Sequence, residues 1–177
     1  MSAFFGYALV NNHIYYDTLG IVQQHPEKIN VMSAYLQKDL KAWLFHFDNQ
    51  VLFQLSSNND VLPLPLVALH LRYYIEYELV KKVLTVQVGA DGTFTTAYFA
   101  PAYNPATGQF HNQNFEKVGN CPYIDVFANF QWKQATLFFK FTNANQGWPN
   151  GDYFSAYHYA KPRRAFKFGI YWPFHIH

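Results

Sequence analysis

Eight ionisable side chains sit on the polar sides of extended segments: His70, Arg72, Glu76, Glu78, Asp91, Asp125, Lys140 and Lys167. Fixed charges of both signs on a wet surface can pair, hold water and bias which ions pass. The mixture of signs argues against strong charge selectivity. Arg72, with Glu76 and Glu78 on the same strand, suggests an ion-pair ladder that stiffens that surface. Bond-making chemistry has less support. Ser33, Ser56, Ser57 and Ser155 lack the glycine-flanked turn of a hydrolase nucleophile. Asp17, Asp48, Asp60 and Asp152 make no paired-carboxylate signature. His175 and His177 would share a strand face, but no third ligand is near in sequence, so a frayed end is expected rather than a metal site. Cys121 is the single cysteine, which excludes an internal disulfide. Neither enzymatic activity nor a cofactor is expected.

The elements that position these charges read as strands. From Val67 to Leu79 the odd positions are Val, Leu, Leu, Tyr, Ile, Tyr and Leu. The even positions between them carry His70, Arg72, Glu76 and Glu78. A two-residue period sends the two sets to opposite faces. Leu84–Ala90, Ile124–Trp132 and Ala135–Phe141 repeat the pattern. At the end of the chain, Phe166, Phe168, Ile170, Trp172 and Phe174 alternate with Ala165, Lys167, Gly169, Tyr171 and Pro173. A closing strand with one oily face and an aromatic end suits an outer-membrane β-barrel. Aromatics reach 20% and charged residues only 14%, against about 25% charged in ordinary soluble domains. Trp132, Trp172 and Phe174 fall at strand ends, and with Trp43 they are the expected interface aromatics.

Nine strands are expected, over 3–10, 13–24, 28–37, 40–55, 66–79, 83–98, 123–132, 135–142 and 164–174. Lys81-Lys82 and Lys133-Gln134 read as tight turns, and Asn150-Gly151 as a turn signal. Loops 56–65, 99–122 and 143–163 are long and rich in Asn, Gly, Pro and Tyr. Long and short connections alternate, as in an up-and-down barrel with its turns on one side and its loops on the other. Nothing marks an internal boundary, so residues 1–177 read as a single barrel segment. No secretory signal is read in residues 1–25. An odd strand count suggests the C-terminal portion of a larger barrel, whereas eight tighter strands would close a small one.

Several phrases carry a resemblance. They are "HFDNQVLFQLSSNNDVLPLP" (46–65), "VLTVQVGADGTFTTAYFAPAYNPATGQFH" (83–111), "YIDVFANFQWKQATLFFKFTNANQGWPNGDYFSAYHY" (123–159) and "RAFKFGIYWPF" (164–174). From about residue 30 to 174 the chain resembles the C-terminal part of the Putative porin family of Bacteroidota. The resemblance implies an antiparallel outer-membrane β-barrel and no catalytic residues. Members of that family are longer and begin with a signal peptide, which also implies a portion of a larger barrel.

The expected function is passive passage of small solutes through a polar lumen lined by the eight ionisable residues, in the outer membrane of a Gram-negative cell. The expected partner is the lipid bilayer, with other outer-membrane proteins as a further option. Basic residues form no run longer than Arg163-Arg164, so nucleic acid is not expected. A non-conducting barrel subunit that scaffolds a larger complex is the alternative. A soluble lipocalin-like carrier with the oily face inside is a third reading. The loop aromatics Tyr98, Tyr103, Phe110, Trp148, Tyr153, Tyr157 and Tyr159 suit membrane-edge anchoring better than sugar or partner binding. Facing the oily side to lipid predicts that Val86→Lys blocks assembly while Gln87→Lys is tolerated.

Overall fold

A computed structural model describes residues 1–149 and 154–173. Phe174, the His175–His177 pair, Asn150-Gly151, Asp152 and Tyr153 therefore lie outside the described residues. Alternating apolar and polar side chains, rich in aromatic and β-branched types, build fourteen strands among the described residues. They are β1 (Ser2–Val10), β2 (Ile14–Tyr16), β3 (Val22–Gln24), β4 (Ile29–Ala42), β5 (Phe45–Ser56), β6 (Val67–Val80) and β7 (Leu84–Thr95). There follow β8 (Ala102–Asn104), β9 (Gln109–His111), β10 (Tyr123–Trp132), β11 (Ala135–Thr142), β12 (Phe154–Ala156), β13 (Tyr159–Ala160) and β14 (Ala165–Tyr171). Eight of them form one antiparallel sheet in the order β1-β4-β5-β6-β7-β10-β11-β14. The other six form three small hairpins within the long connections. Among the described residues β1 pairs only with β4 and β14 only with β11, so the sheet has two open edges.

Two expectations change. Segment 13–24 is not a strand of the sheet. It folds as the β2–β3 hairpin, because Asp17 caps its tip by accepting the N–H groups of Leu19 and Ile21, each at 2.9 Å, and Gly20 supplies φ +75°. The sheet therefore holds eight strands rather than nine, and the parity argument for a larger barrel loses its basis. The turn expected near residue 39 lies instead at Trp43-Leu44. Pairing with β5 runs unbroken through Lys38, Asp39, Leu40 and Lys41, and Trp43 takes a left-handed φ of +55° to reverse the chain. The other two tight turns use the same device, at Lys82 (φ +59°) and Lys133 (φ +54°).

With the hairpin reassigned, the connections sort completely. Segments 11–28, 57–66, 96–122 and 143–164 all leave one end of the sheet, and the three tight turns lie at the other. β4 and β6 have 14 residues each, and β5 and β7 have 12. A tilted transmembrane strand needs about 9–11.

The register makes each face continuous. One row runs Leu40, Phe47, Tyr73, Ala90, Val126, Phe141, Phe166 across seven strands, each opposite the next. This oily face is not a core. Phe5 is 64% exposed, Phe168 74% and Ile170 65%, while Leu69, Val86 and Phe130 are half-buried. Among the described residues, the buried apolar Val61, Ala100, Ala102, Val118 and Cys121 instead lie at the loop end with Ile29, the first residue of β4, and Phe127 lies deeper in the sheet. Apolar-out is the arrangement of a surface that meets hydrocarbon, and the reverse of a carrier that shelters its oily face.

One amide interrupts the oily face. Asn49 accepts a hydrogen bond from the Tyr73 hydroxyl at 2.8 Å and donates to the carbonyls of Phe47 and Lys38. All of its polar atoms are satisfied within the sheet, which removes most of the penalty of an amide away from water.

Candidate functional site

The polar face is built by the same register, one residue out of step. Asp39, Asp48, Arg72, Asp91 and Asp125 stand opposite one another in a row across β4, β5, β6, β7 and β10. All eight residues expected to share a wet face do share this one. His70 faces Thr93, Glu76 faces Gln87, Glu78 faces Thr85 and Lys167 faces Lys140.

The arrangement brings four of the eight into one network. Lys140 Nζ lies 2.9 Å from Asp125 Oδ2 and 3.3 Å from Asp91 Oδ2. Arg72 Nε approaches Asp91 Oδ1 at 3.5 Å, too far for a hydrogen bond but close enough for an ion pair. The Arg72 guanidinium also lies 4.7 Å from the centre of the Phe127 ring, a cation–π distance. Asp125 is 8% exposed, and its other oxygen accepts the backbone N–H of Asn143 at 2.8 Å. The carboxylate thus joins the sheet to loop 143–164.

The expected ladder of Arg72 with Glu76 and Glu78 does not form. Glu76 is four residues away along the same strand, about 13 Å. Asp91 stands directly opposite Arg72, at about 5 Å between β-carbons. Glu76 instead accepts the side-chain amide of Gln87 at 2.7 Å, and Gln87 accepts that of Asn129 at 3.2 Å. His70, Glu78 and Lys167 are exposed and stand apart from the ion-pair network. Asp39, Lys41 and Asp48 also belong to this face beyond the eight expected; the turn expected at 38–39 took in Asp39 and placed Lys41 at the start of the next strand. Tyr35, Gln37, Asp39 and Lys41 alternate with Leu36 and Leu40, but Lys38, opposite Asn49 on the oily side, interrupts the pattern.

Glycines make room for aromatics on this face. Gly89 faces Tyr74 on one side and Phe127 on the other. Gly169 is covered by the ring of Phe138 directly opposite, whose Cε1 would lie 2.6 Å from an added β-carbon. Aromatic rings laid over strand glycines let a sheet curve without leaving a hole. Tyr74 stacks on His46 with ring centres 4.6 Å apart.

At the tight-turn end, Trp43 (81% exposed), Trp132 and Trp172 all project from strand ends, and Trp132 and Trp172 line one depression. Indoles gathered at one end of the sheet suit a girdle at a membrane boundary.

The loop end is a tied cap. Asn112 donates its backbone N–H to Tyr16 O and its side-chain amide to Asp60 O and Val61 O, which joins three loops. Asn145 donates to the carbonyls of Pro122 and Trp148 and accepts from Ile124 N. Gln113, buried, bonds to Ala100, Phe115 and Glu116. The donated Ile21 N–H, together with Gln23 and Leu19, holds the Asp17 carboxyl below its usual range, and burial pushes the Tyr98 phenol above its own. Cys121 is buried beside Pro122, an inert setting for a thiol. Tyr103 packs on Phe110 (5.2 Å) and Tyr159 (5.8 Å), and Phe115 on Tyr157 (6.0 Å), within the cap.

An all-antiparallel sheet, oily on its exposed face, charged on its sheltered face and with connections sorted by length, defines the wall of a membrane β-barrel. The comparisons agree. Residues 2–175 match the Putative porin family, and the chain belongs to it. No curated protein and no solved structure matches the chain. The family places the protein in the bilayer of an outer membrane, in a porin-like role.

Proposed function

We propose that this chain forms the wall of an outer-membrane pore through which small solutes diffuse passively, with the polar face lining the lumen. The observation that carries this reading is an oily row and a charged row on opposite faces of β4, β5, β6, β7 and β10, held in one register, with the oily side the more exposed. Lipid accepts the row from Leu40 to Phe166, and water accepts the row from Asp39 to Asp125. The open edges of β1 and β14 need partners in a bilayer, where an unpaired backbone N–H or C=O is costly. The wall closes through those edges, directly or through further strands.

His70, Arg72, Glu76, Glu78, Asp91, Asp125, Lys140 and Lys167 then act on passing ions. With Asp39, Asp48 and Lys41, this face carries six carboxylates against four basic side chains. Cations are therefore favoured, weakly. Trp43, Trp132 and Trp172 anchor the turn side. The test is single-channel recording from protein refolded into planar bilayers. Steady ohmic current is expected, with a reversal potential in a salt gradient on the cation side. Lys167→Glu, at an exposed position outside the ion-pair network, should raise that preference. A silent bilayer with a stable co-purifying membrane protein would replace the pore with a scaffold.

A further inference from the structure

The loop cap holds a second feature that the pore reading does not use. A cleft opens between loops 96–122 and 143–164, lined by Tyr103, His111, Phe115, Tyr157, His158 and Tyr159, with Ala102, Asn104 and Pro105 completing it. We propose that it is a binding site for a neutral saccharide.

Three observations carry this. First, the lining is aromatic and uncharged in its fixed groups, for neither a carboxylate nor an ammonium lines the cleft. A pyranose offers C–H faces that pack on rings and hydroxyls that need polar partners. Aromatic walls with imidazole, phenol and amide groups answer both needs. The absence of fixed charge on the lining selects against anionic sugars and against charged peptides.

Second, the aromatics are exposed although the scaffold beneath them is fixed. Phe115 is 68% exposed and Tyr159 43%. The β8–β9 hairpin carries Tyr103 and His111, and the adjoining Asn112 is bonded to two other loops. On the other wall Tyr157 and His158 occupy the turn between β12 and β13, with His158 held at φ +64° and the two rings 3.9 Å apart. Rings presented by a tied scaffold lose little freedom when they bind, which favours recognition.

Third, His111 is unsatisfied. Its Nδ1 is buried and has no hydrogen-bond partner. Such a group carries a desolvation penalty. Turning the ring towards a hydroxyl in the cleft would break no hydrogen bond at that nitrogen and would remove the penalty.

The experiment uses the full chain folded in lauryldimethylamine oxide, a detergent without a sugar head group. Maltohexaose, cellohexaose, xylohexaose and mannohexaose are titrated calorimetrically at low and high salt. At least one should bind in the millimolar range or tighter, with little dependence on salt. Tyr159→Ala and Tyr103→Ala should each weaken it about tenfold, the loss of one ring contact. Unaltered heat-modifiable mobility on gels would establish that both variants fold. Single-channel conductance without sugar should be the same in both, so the pore and the sugar site can fail separately. The proposal is overturned if none of the four sugars binds, or if the two variants bind as tightly as the parent chain.

Discussion

Val88→Lys should prevent the chain from assembling in lipid, while Gln87→Lys, one residue away, should fold as the parent does. Val88 lies on the oily face of β7, between Ile75 and Ala128, near the middle of a 12-residue strand. A lysine at the bilayer midplane costs ~2–4 kcal/mol, falling towards zero near the interface. Val86 points the same way but stands only two residues from the tight-turn end, within reach of water for a long side chain. Val86→Lys should therefore cost less than Val88→Lys, and that gradient with depth is itself diagnostic. Gln87 points to the polar face and already donates to the Glu76 carboxylate at 2.7 Å. A lysine there keeps that partner as an ion pair. Refolding into liposomes, followed by heat-modifiable mobility and tryptophan fluorescence, gives the ranking. Equal yields for Val88→Lys and Gln87→Lys would reverse the assignment of the faces.

The facing was legible because its signal is local. Period-two alternation over residues 67–79, 84–90, 123–132 and 135–142 needs no knowledge of neighbours, and the register aligned those segments face to face. Pairing was not legible. Arg72 has Glu76 and Glu78 close by in sequence, yet its partner is Asp91, nineteen positions on, because distance across a ladder is far shorter than distance along a strand. Trp43 was hidden as a turn residue because its side chain suits a strand; only its backbone φ reveals the reversal. Segment 13–24 has strand-like residues throughout, but Asp17 and Gly20 set a tight tip within it. The loop cleft depends on contacts between separate loops, such as Tyr103 with Tyr159. No window of sequence contains both.

Gly89→Ala should be as damaging as a core defect, although it adds a single methyl group to a strand where alanine is ordinarily tolerated. A β-carbon at residue 89 would overlap the Tyr73 carbonyl oxygen and the Tyr74 β-carbon. These atoms belong to the paired strand, so they cannot move aside without breaking the β6–β7 ladder. The displaced Tyr74 would lose its stack on His46, and Phe127 would shift beneath Arg72, loosening the contact at 4.7 Å. Overpacking of this kind costs about 1–3 kcal/mol when side chains can adjust, and more when backbone must move. Gly92 is the control. It lies on the oily face three residues along the same strand, and the nearest atom to its added β-carbon is Leu71 O at 3.9 Å. Gly92→Ala should be neutral, or stabilising by up to about 1 kcal/mol through reduced freedom of the unfolded chain. Urea unfolding in detergent would rank the two. If Gly89→Ala unfolds at the same urea concentration as Gly92→Ala, the close approach of β6 and β7 at Gly89 is wrong. Any bending that rings over strand glycines allow would then rest on Gly6 and Gly169, which lie against Phe4 and Phe138.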